Sequence, residues 1–418
     1  MAKAAEIDVN AWATSVDSKV LTWRRDIHQF PELGNLEFRT SKLVAEHLRK
    51  LGLEVKTGVA HTGVVAILKG AKLGPRIALR ADMDALPVTE SSGLPFESKQ
   101  TTEFRGEKTG VMHACGHDSH TAILMGVAEA MVKNKAQLSG EVMFIFQPAE
   151  EGPPDGETGG ATAMLAEGLF KQFKPEAIFG LHVWSALNAN QLGYRSGPAM
   201  AASDRFRIVV KGRQTHGSRP WGGVDPIVAA ADIISTAQTI VSRRMNISEL
   251  PVVVSFGAIK GGIRYNIIPD EVELIGTIRT FDEGMRQKVF EELKNVAEKV
   301  AAAHGATVLN EVPDTTGNPV MVNNPELTTR SINGLIKTAG DKNVVNMSLV
   351  MGAEDFSYYA QEVPGFFFFV GATSKGQDAS RAPSNHSPQF FLDESALPLG
   401  TRALLQVSLD YLTGANDD

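Results

Sequence analysis

The chain has 418 residues, too many for one ordinary hydrophobic core, so two domains are the expectation. Hydrophobic residues at 43% and charged residues at 21% give the balance of a globular protein that faces water. The net charge is −7 and no Lys/Arg cluster breaks it, which argues against a nucleic-acid partner.

The opening residues, Met1 to Trp12, hold no apolar core of signal-peptide length. No later stretch approaches the roughly 18 apolar residues of a membrane span. A soluble, cytoplasmic protein with no membrane partner is therefore expected. Val9 to Phe30 has helical spacing and meets Pro31. A second helix is predicted near Ser41 to Leu51, with Ser41 as its cap and Gly52 as its stop. Short β-type runs follow at Val64–Leu68 and Ile77–Arg80, then a polar loop over 89–112. A helix near His120–Val132, a strand Val142–Phe146, a helix Ala161–Leu169 and a strand Ala177–Val183 complete the first part. Strands alternating with helices predict an α/β layer architecture.

The character changes after Gly197-Pro198. The predicted order is strand (Phe206–Val210), helix (Pro226–Val241), strand (Val252–Ala258), strand (Val272–Arg279), helix (Glu283–Ala303) and strand (Thr307–Leu309). This βαββαβ order is the ferredoxin-like signature. Past Pro313 the α/β pattern resumes, with a buried strand Phe366–Val370 and a last helix near Ser395–Leu412. The expectation is a larger α/β domain, residues 1–197 and 313–418, that carries a smaller domain inserted at 198–312.

Metal-capable residues concentrate in five short stretches: Arg80–Asp84, Met112–His120, Gln147–Glu151, Gly180–His182 and Asn385–Pro388. Four of them follow or precede predicted elements, where open α/β sheets gather their ligands. The single cysteine, Cys115, forms no intrachain disulfide, and His113, His117 and His120 surround it. Taken alone, His182 reads as a core histidine and Glu150-Glu151 as a solvated turn. Thiol, imidazole and carboxylate together suit Zn²⁺, Mn²⁺, Co²⁺ or Ni²⁺ better than Mg²⁺ or Ca²⁺. Adjacent carboxylates also allow a division of labour. One holds metal, and its neighbour moves a proton from water to a leaving amine.

Taken together, these stretches resemble the two-metal aminoacylase and carboxypeptidase clan of metallopeptidases. Within it they are most similar to the bacterial aminoacylase, hippurate hydrolase and plant auxin-conjugate hydrolase group. The matching runs also include Arg24–His28 with Pro31–Leu33, Gly352–Tyr358 and, in the inserted domain, Lys211–Arg213, Asp225–Ile227, Asn266–Pro269 and Gly276–Asp282. The resemblance implies two divalent metal ions per subunit, held by Cys115, His117, Glu151, His182 and His386. It implies Glu150 as general base and Asp84 as the group that orients a ligand. It makes the inserted domain a lid and dimerisation domain, with His216 donating to the oxyanion and Asn266 and Arg279 holding substrate. A small N-acyl amino acid is the implied substrate, and a homodimer or homotetramer the implied assembly.

Two departures from the family pattern stand out. Pro153-Pro154-Asp155-Gly156-Glu157-Thr158 lengthens the 152–160 loop after the tandem Glu. His216 is followed by Gly217-Ser218-Arg219-Pro220-Trp221 rather than by Ala, which bears on Arg219 and Trp221 as substrate contacts. His28, His47, His61 and His304 read as surface or packing residues, while His113 and His120 stay open between packing and support of the ligands. The alternatives to an aminoacylase are a dipeptidase or carboxypeptidase of the same clan and a non-catalytic metal-binding scaffold. A scaffold has no use for Glu150 beside the ligand.

Overall fold

The computed structural model describes residues 7–315 and 317–414, so the reading of residues 1–6 as carrying no leader lies outside the described residues. The chain forms two compact units. The first comprises the chain up to Gly197, Asn323–Ser348 and the chain from Tyr358; the second comprises Pro198–Val322 and Leu349–Ser357.

The first unit is built on an eight-stranded mixed sheet. Its strand order is Glu54–Val59, Gly63–Lys69, Ser139–Gln147, Lys72–Asp82, Ala177–Asn188, Gly365–Thr373, Leu192–Tyr194 and Val344–Asn346. Ser139–Gln147, Lys72–Asp82, Ala177–Asn188 and Gly365–Thr373 run parallel to their neighbours in this block. Gly365–Thr373 is buried at every position, as a central strand covered on both faces must be, and this is why it reads as an unbroken apolar run. Helices Asp17–Gln29, Phe38–Lys50, His117–Lys133 and Ala396–Thr413 supply much of the remaining core.

Several element boundaries differ from the expected ones. The first helix is two, Val9–Thr14 and Asp17–Gln29, because Val16 leaves helical geometry at φ −123°. The second begins at Phe38, so Ser41 lies inside it rather than capping it. The helix expected near His120 begins at His117, after Gly116 at φ 93°. That glycine is required twice over: its φ is left-handed, and a Cβ would stand 2.2 Å from Val183 Cγ2. The 89–112 loop contains a hairpin, Thr101–Phe104 with Glu107–Gly110.

The second unit has the order strand Ala202–Lys211, helix Pro226–Thr239, strand Val253–Gly261, strand Glu271–Thr280, helix Glu283–Ala303 and strand Thr307–Glu311. Its antiparallel sheet places them as Val253–Gly261, Glu271–Thr280, Ala202–Lys211, Thr307–Glu311, a ferredoxin-like arrangement. Along Glu271–Thr280 every second residue is buried, from Val272 through Leu274 and Ile278, so one sheet face packs on the two helices. Asp225 caps the first helix by accepting from the Ile227 N–H at 2.8 Å, with Pro226 at the first turn. This unit extends past residue 312 because Asp314 N donates to Arg205 O and Ser203 N to Asn318 O. It also takes in 349–357, where Ala201 N donates to Val350 O and Gly352 O. Among the described residues no helix is long and apolar enough to cross a membrane.

Candidate metal centre

The parallel strands deliver their side chains at their carboxyl ends. Lys72–Asp82 ends in Asp82 and leads to Asp84. Ser139–Gln147 leads to Glu150 and Glu151. His182 lies within Ala177–Asn188, Cys115 and His117 lie at the start of helix His117–Lys133, and His386 comes from a C-terminal loop. These distant segments meet. Cys115 Sγ is 3.3 Å from His182 Nε2 and 3.2 Å from His386 Nε2, and His386 Nε2 is 3.0 Å from Glu151 Oε1. Among the groups of described residues whose ligand atoms all lie within 4.8 Å of one another are Cys115 with His117 and His182, Cys115 with Glu151 and His386, and His117 with Glu150 and Glu151.

The hydrogen bonds behind these rings fix which nitrogen faces the cluster. His182 Nδ1 lies 2.7 Å from Val183 O, so it carries the proton and Nε2 presents a lone pair toward Cys115. His117 Nδ1 lies 3.1 Å from Asp84 Oδ1, and its buried Nε2 has no hydrogen-bond partner among the described residues. An orphaned, buried imidazole nitrogen costs free energy unless something binds it. Burial works against a charge on His117, yet the Asp82 carboxylate and the Asp84 hydrogen bond outweigh it and raise the ring to about 10. Burial lowers His182 well below its usual range, helped by His120 and His117, which keeps it neutral. Burial and the Glu151 and Glu150 carboxylates push the Cys115 thiol up. The raised His117 and Cys115 reflect the negative charge of the surrounding carboxylates, and the Cys/His/Glu donor set fits divalent transition-metal ions.

Supporting residues complete the cluster. Asp84 accepts the Glu151 N–H at 2.9 Å through the oxygen that His117 leaves free. Asn385 donates to Cys115 O and Val183 O, both at 3.1 Å, and accepts from Ser185 N, which fastens the loop that carries His386. His120, left open by the sequence, is buried in the first turn of its helix. Its Nε2 accepts the Val183 N–H at 2.8 Å, so Nδ1 is the protonated nitrogen and donates to Asp82 at 2.6 Å. His113 is equally buried, neither ring nitrogen has a partner among the described residues, and burial lowers it to about 4.

His28 is not a surface residue. It is buried between Asp118 Oδ2 at 2.8 Å and Glu90 Oε1 at 3.0 Å, with Arg24 Nε 2.9 Å from the same Asp118 oxygen. Since Asp118 follows His117, this ion network braces the helix start from behind. A buried His-carboxylate chain of this kind leaves no local sequence signal; only the Arg24–His28 run hints at it. His304 pairs with Asp232 at 2.8 Å in the second unit, and His61 is exposed.

His216, Asn266 and Arg279 belong to the second unit. Strand Thr215–His216 pairs with Ile267–Ile268, and Gly217 N donates to Asn266 O at 2.8 Å. Asn266 Oδ1 is buried without a hydrogen-bond partner among the described residues. Arg279 is half-buried, burial lowers its guanidinium, and it makes no ion pair among the described residues. Trp221 is exposed, as is Arg219. The 152–160 loop is tied down by Asn35 Nδ2, which donates to Glu157 Oε2 and Thr158 O, and by an exposed Arg105–Asp155 ion pair at 2.9 Å.

The turn between Gln147 and Glu150 is strained. Ala149 sits at φ 51°, a left-handed conformation that costs a non-glycine residue roughly 1–2 kcal/mol. Its N–H donates at 2.8 Å to Glu37 Oε1, a fully buried carboxylate whose other oxygen accepts from Thr62 Oγ1. Burial, followed by the nearby Asp84 carboxylate, raises Glu37 to about 8. Nothing in the residue pattern around Glu37 signals this contact.

Comparison with known proteins adds the family. The profile of peptidase family M20/M25/M40 matches residues 78–410. Thermostable carboxypeptidase 1 of Saccharolobus solfataricus is 41% identical over 93% of this chain and 94% of its own. N-acetyl-L-cysteine deacetylase of Bacillus subtilis is 36% identical over 92% of this chain and 86% of its own. Among solved structures, the Bacillus subtilis YXEP protein, a dinuclear metal binding peptidase from the M20 family, superposes with a TM-score of 0.77. It is 35% identical, with 96% of this chain and 99% of that chain covered.

Proposed function

Because the chain belongs to peptidase family M20/M25/M40, we propose that it hydrolyses N-acyl amino acids to a carboxylic acid and a free amino acid. At the level of the family, it is a metal-dependent hydrolase that acts on amide bonds. The observation that carries the reading is the convergence of Cys115 Sγ, His182 Nε2, His386 Nε2 and Glu151 around one point, with Glu150 beside His117. Two divalent ions are assigned to Cys115, His117, Glu151, His182 and His386. When bound, they supply Lewis acidity that polarises the acyl carbonyl and makes water acidic enough to ionise near neutral pH.

The chain's own residues do the rest. Glu150 takes a proton from the attacking water as its oxygen bonds to the acyl carbon. It returns that proton to the nitrogen as the C–N bond breaks, so the amine leaves neutral. Asp84 holds His117 and the Glu151 backbone in register. On the second unit, His216 is assigned to the oxyanion, while Asn266 and Arg279 are assigned to the substrate. A half-buried guanidinium with no ion pair among the described residues suits the free α-carboxylate of an amino acid. We assign the first unit to the catalytic role expected of residues 1–197 and 313–418, and the second unit to the role expected of 198–312, a lid that also joins two subunits. Carboxypeptidase or dipeptidase activity is the second reading, favoured by the Saccharolobus relative.

A panel of acetyl-, benzoyl- and indoleacetyl-amino acids with matched dipeptides tests this. One N-acyl series is expected to show the highest kcat/KM, and its α-carboxamide analogue to be a much poorer substrate. Preference for the dipeptides would transfer the chain to the second reading. No hydrolysis by the metal-loaded protein would leave a binding scaffold.

The ligand assignment of Cys115 has its own test. A metal ligand thiol is a thiolate, although burial and the glutamates favour the protonated form here. An alkylating thiol reagent is expected to label Cys115 much faster after chelation than with metal restored. Equal rates, or full metal content in Cys115→Ala, would remove Cys115 from the ligand set.

A further inference from the structure

We propose that Glu37, on the turn before helix Phe38–Lys50, is a positioning residue that holds the Ala149 turn and so aims the Glu150–Glu151 pair. The proposal rests on the ligand and base assignments above. Glu37 is fully buried, and both of its oxygens are used: Oε1 accepts the Ala149 N–H at 2.8 Å and Oε2 accepts the Thr62 hydroxyl. Its effect on Glu150 and Glu151 passes through the backbone of Ala149.

The backbone needs such a hold. Ala149 adopts φ 51°, which an alanine abandons unless its surroundings over-determine it. Two constraints do so. The Glu37 side chain captures the N–H, and the Ala149 methyl occupies the space that a side chain at Gly34 or Gly159 would need, since a Cβ added at either glycine would stand 3.0 Å from it. A Cβ added at Gly34 would stand closer still to the Gly152 carbonyl, at 2.6 Å, so the segment before Glu37 and the turn after Glu151 leave no room for a side chain between them. Downstream, Asp84 fixes the Glu151 N–H at 2.9 Å. The Glu150–Glu151 pair is thus clamped on both sides, by Glu37 at Ala149 and by Asp84 at Glu151. If the first clamp is released, Ala149 relaxes toward a right-handed conformation and both carboxylates rotate away.

The probe is Co²⁺ added to the chelated full-length chain, followed by its visible absorption spectrum and affinity. Glu37→Leu is expected to stay folded by circular dichroism, to bind Co²⁺ about 10–100-fold more weakly and to show an altered ligand-field spectrum. Glu37→Gln keeps an acceptor for Ala149 N, and its amide can donate to the Thr62 oxygen where the native side chain accepts from the hydroxyl, so it should stay within a few-fold of the native chain. Adding Ala149→Gly to Glu37→Leu should recover about tenfold in affinity, because glycine adopts a left-handed φ freely.

Native Co²⁺ affinity and spectrum in Glu37→Leu would overturn the proposal, and so would a double variant no better than Glu37→Leu. If Glu37→Leu does not fold, Thr62→Val replaces it. A several-fold loss of affinity is then expected, and an unchanged spectrum and affinity would be fatal. Glu151→Ala serves as the control for the underlying reading. If Glu151→Ala itself keeps native affinity, the ligand assignment fails; if it loses metal while Glu37→Leu does not, only the clamp fails.

Discussion

Glu150→Gln is expected to lower kcat by about 10²–10⁴-fold while the protein keeps two metal ions per chain. Gln preserves the shape of the side chain but cannot accept the proton from water or return one to the amine. The retained metal follows from the assignment of the two ions to Cys115, His117, Glu151, His182 and His386 without Glu150. Around Cys115, the converging atoms come from His182, His386 and Glu151, and Glu150 enters only at a greater distance, 3.9 Å from His117 Nε2. KM should change little, since the lost interaction belongs to the chemical step. Metal analysis of the purified variant beside steady-state kinetics reads both quantities. Loss of one metal together with activity would make Glu150 a bridging ligand and would undo the division of labour between the tandem glutamates.

The contrast between Glu150 and Glu37 shows which parts of the site a sequence displays. Cys115, His117, Glu151, His182 and His386 carry chemistry in their residue types, so their clustering in a few short stretches is legible from the sequence alone. Glu37 is a glutamate beside an amphipathic helix, and such a residue reads as solvated. Only the fold reveals that it is buried against Ala149. His28 reads as a surface or packing residue for the same reason: its partners Asp118 and Glu90 are far away in the chain.

The fold divides along similar lines. The βαββαβ order of the second unit is readable because its strands alternate and its helices have capped starts, and Glu283–Ala303 has the bounds its spacing predicts. Strand Glu54–Val59 escapes prediction because it is an exposed edge with no apolar run. Helix Pro325–Ala339 is also absent from the predicted elements, although Asn324 caps it by accepting the Leu327 N–H, with Pro325 in the first turn. That Asn-Pro-Glu start is a signal in its own right, a capping side chain followed by proline and an acid in the first turn. The return of 349–357 to the second unit rests on backbone hydrogen bonds to Ala201, which no side-chain pattern announces.

His216→Ala is expected to lower kcat by about 10²–10³-fold with a smaller effect on KM. The ring's own hydrogen bonds support a donor role. Ser218 N–H can only donate, and it points to His216 Nδ1 at 3.1 Å, with Ser218 Oγ 2.7 Å from the same atom. Nδ1 is therefore the acceptor, and the proton of the neutral ring sits on Nε2, on an exposed side chain. A donor held in this tautomer by its own turn is prepared for an oxyanion that exists only in the transition state, which is why kcat should carry the loss. Ser218→Ala should reproduce part of it, because removing the hydroxyl weakens the hold on the tautomer while the backbone donor stays. If the donor comes from a second subunit, a mixed dimer of His216→Ala and Glu150→Gln chains will regain activity. One of its two sites then combines an intact base with an intact histidine. A verified mixed dimer without recovery would confine His216 to its own subunit's chemistry. A near-normal kcat for His216→Ala would remove the oxyanion role itself and leave the ring as part of the turn at Thr215–Ser218.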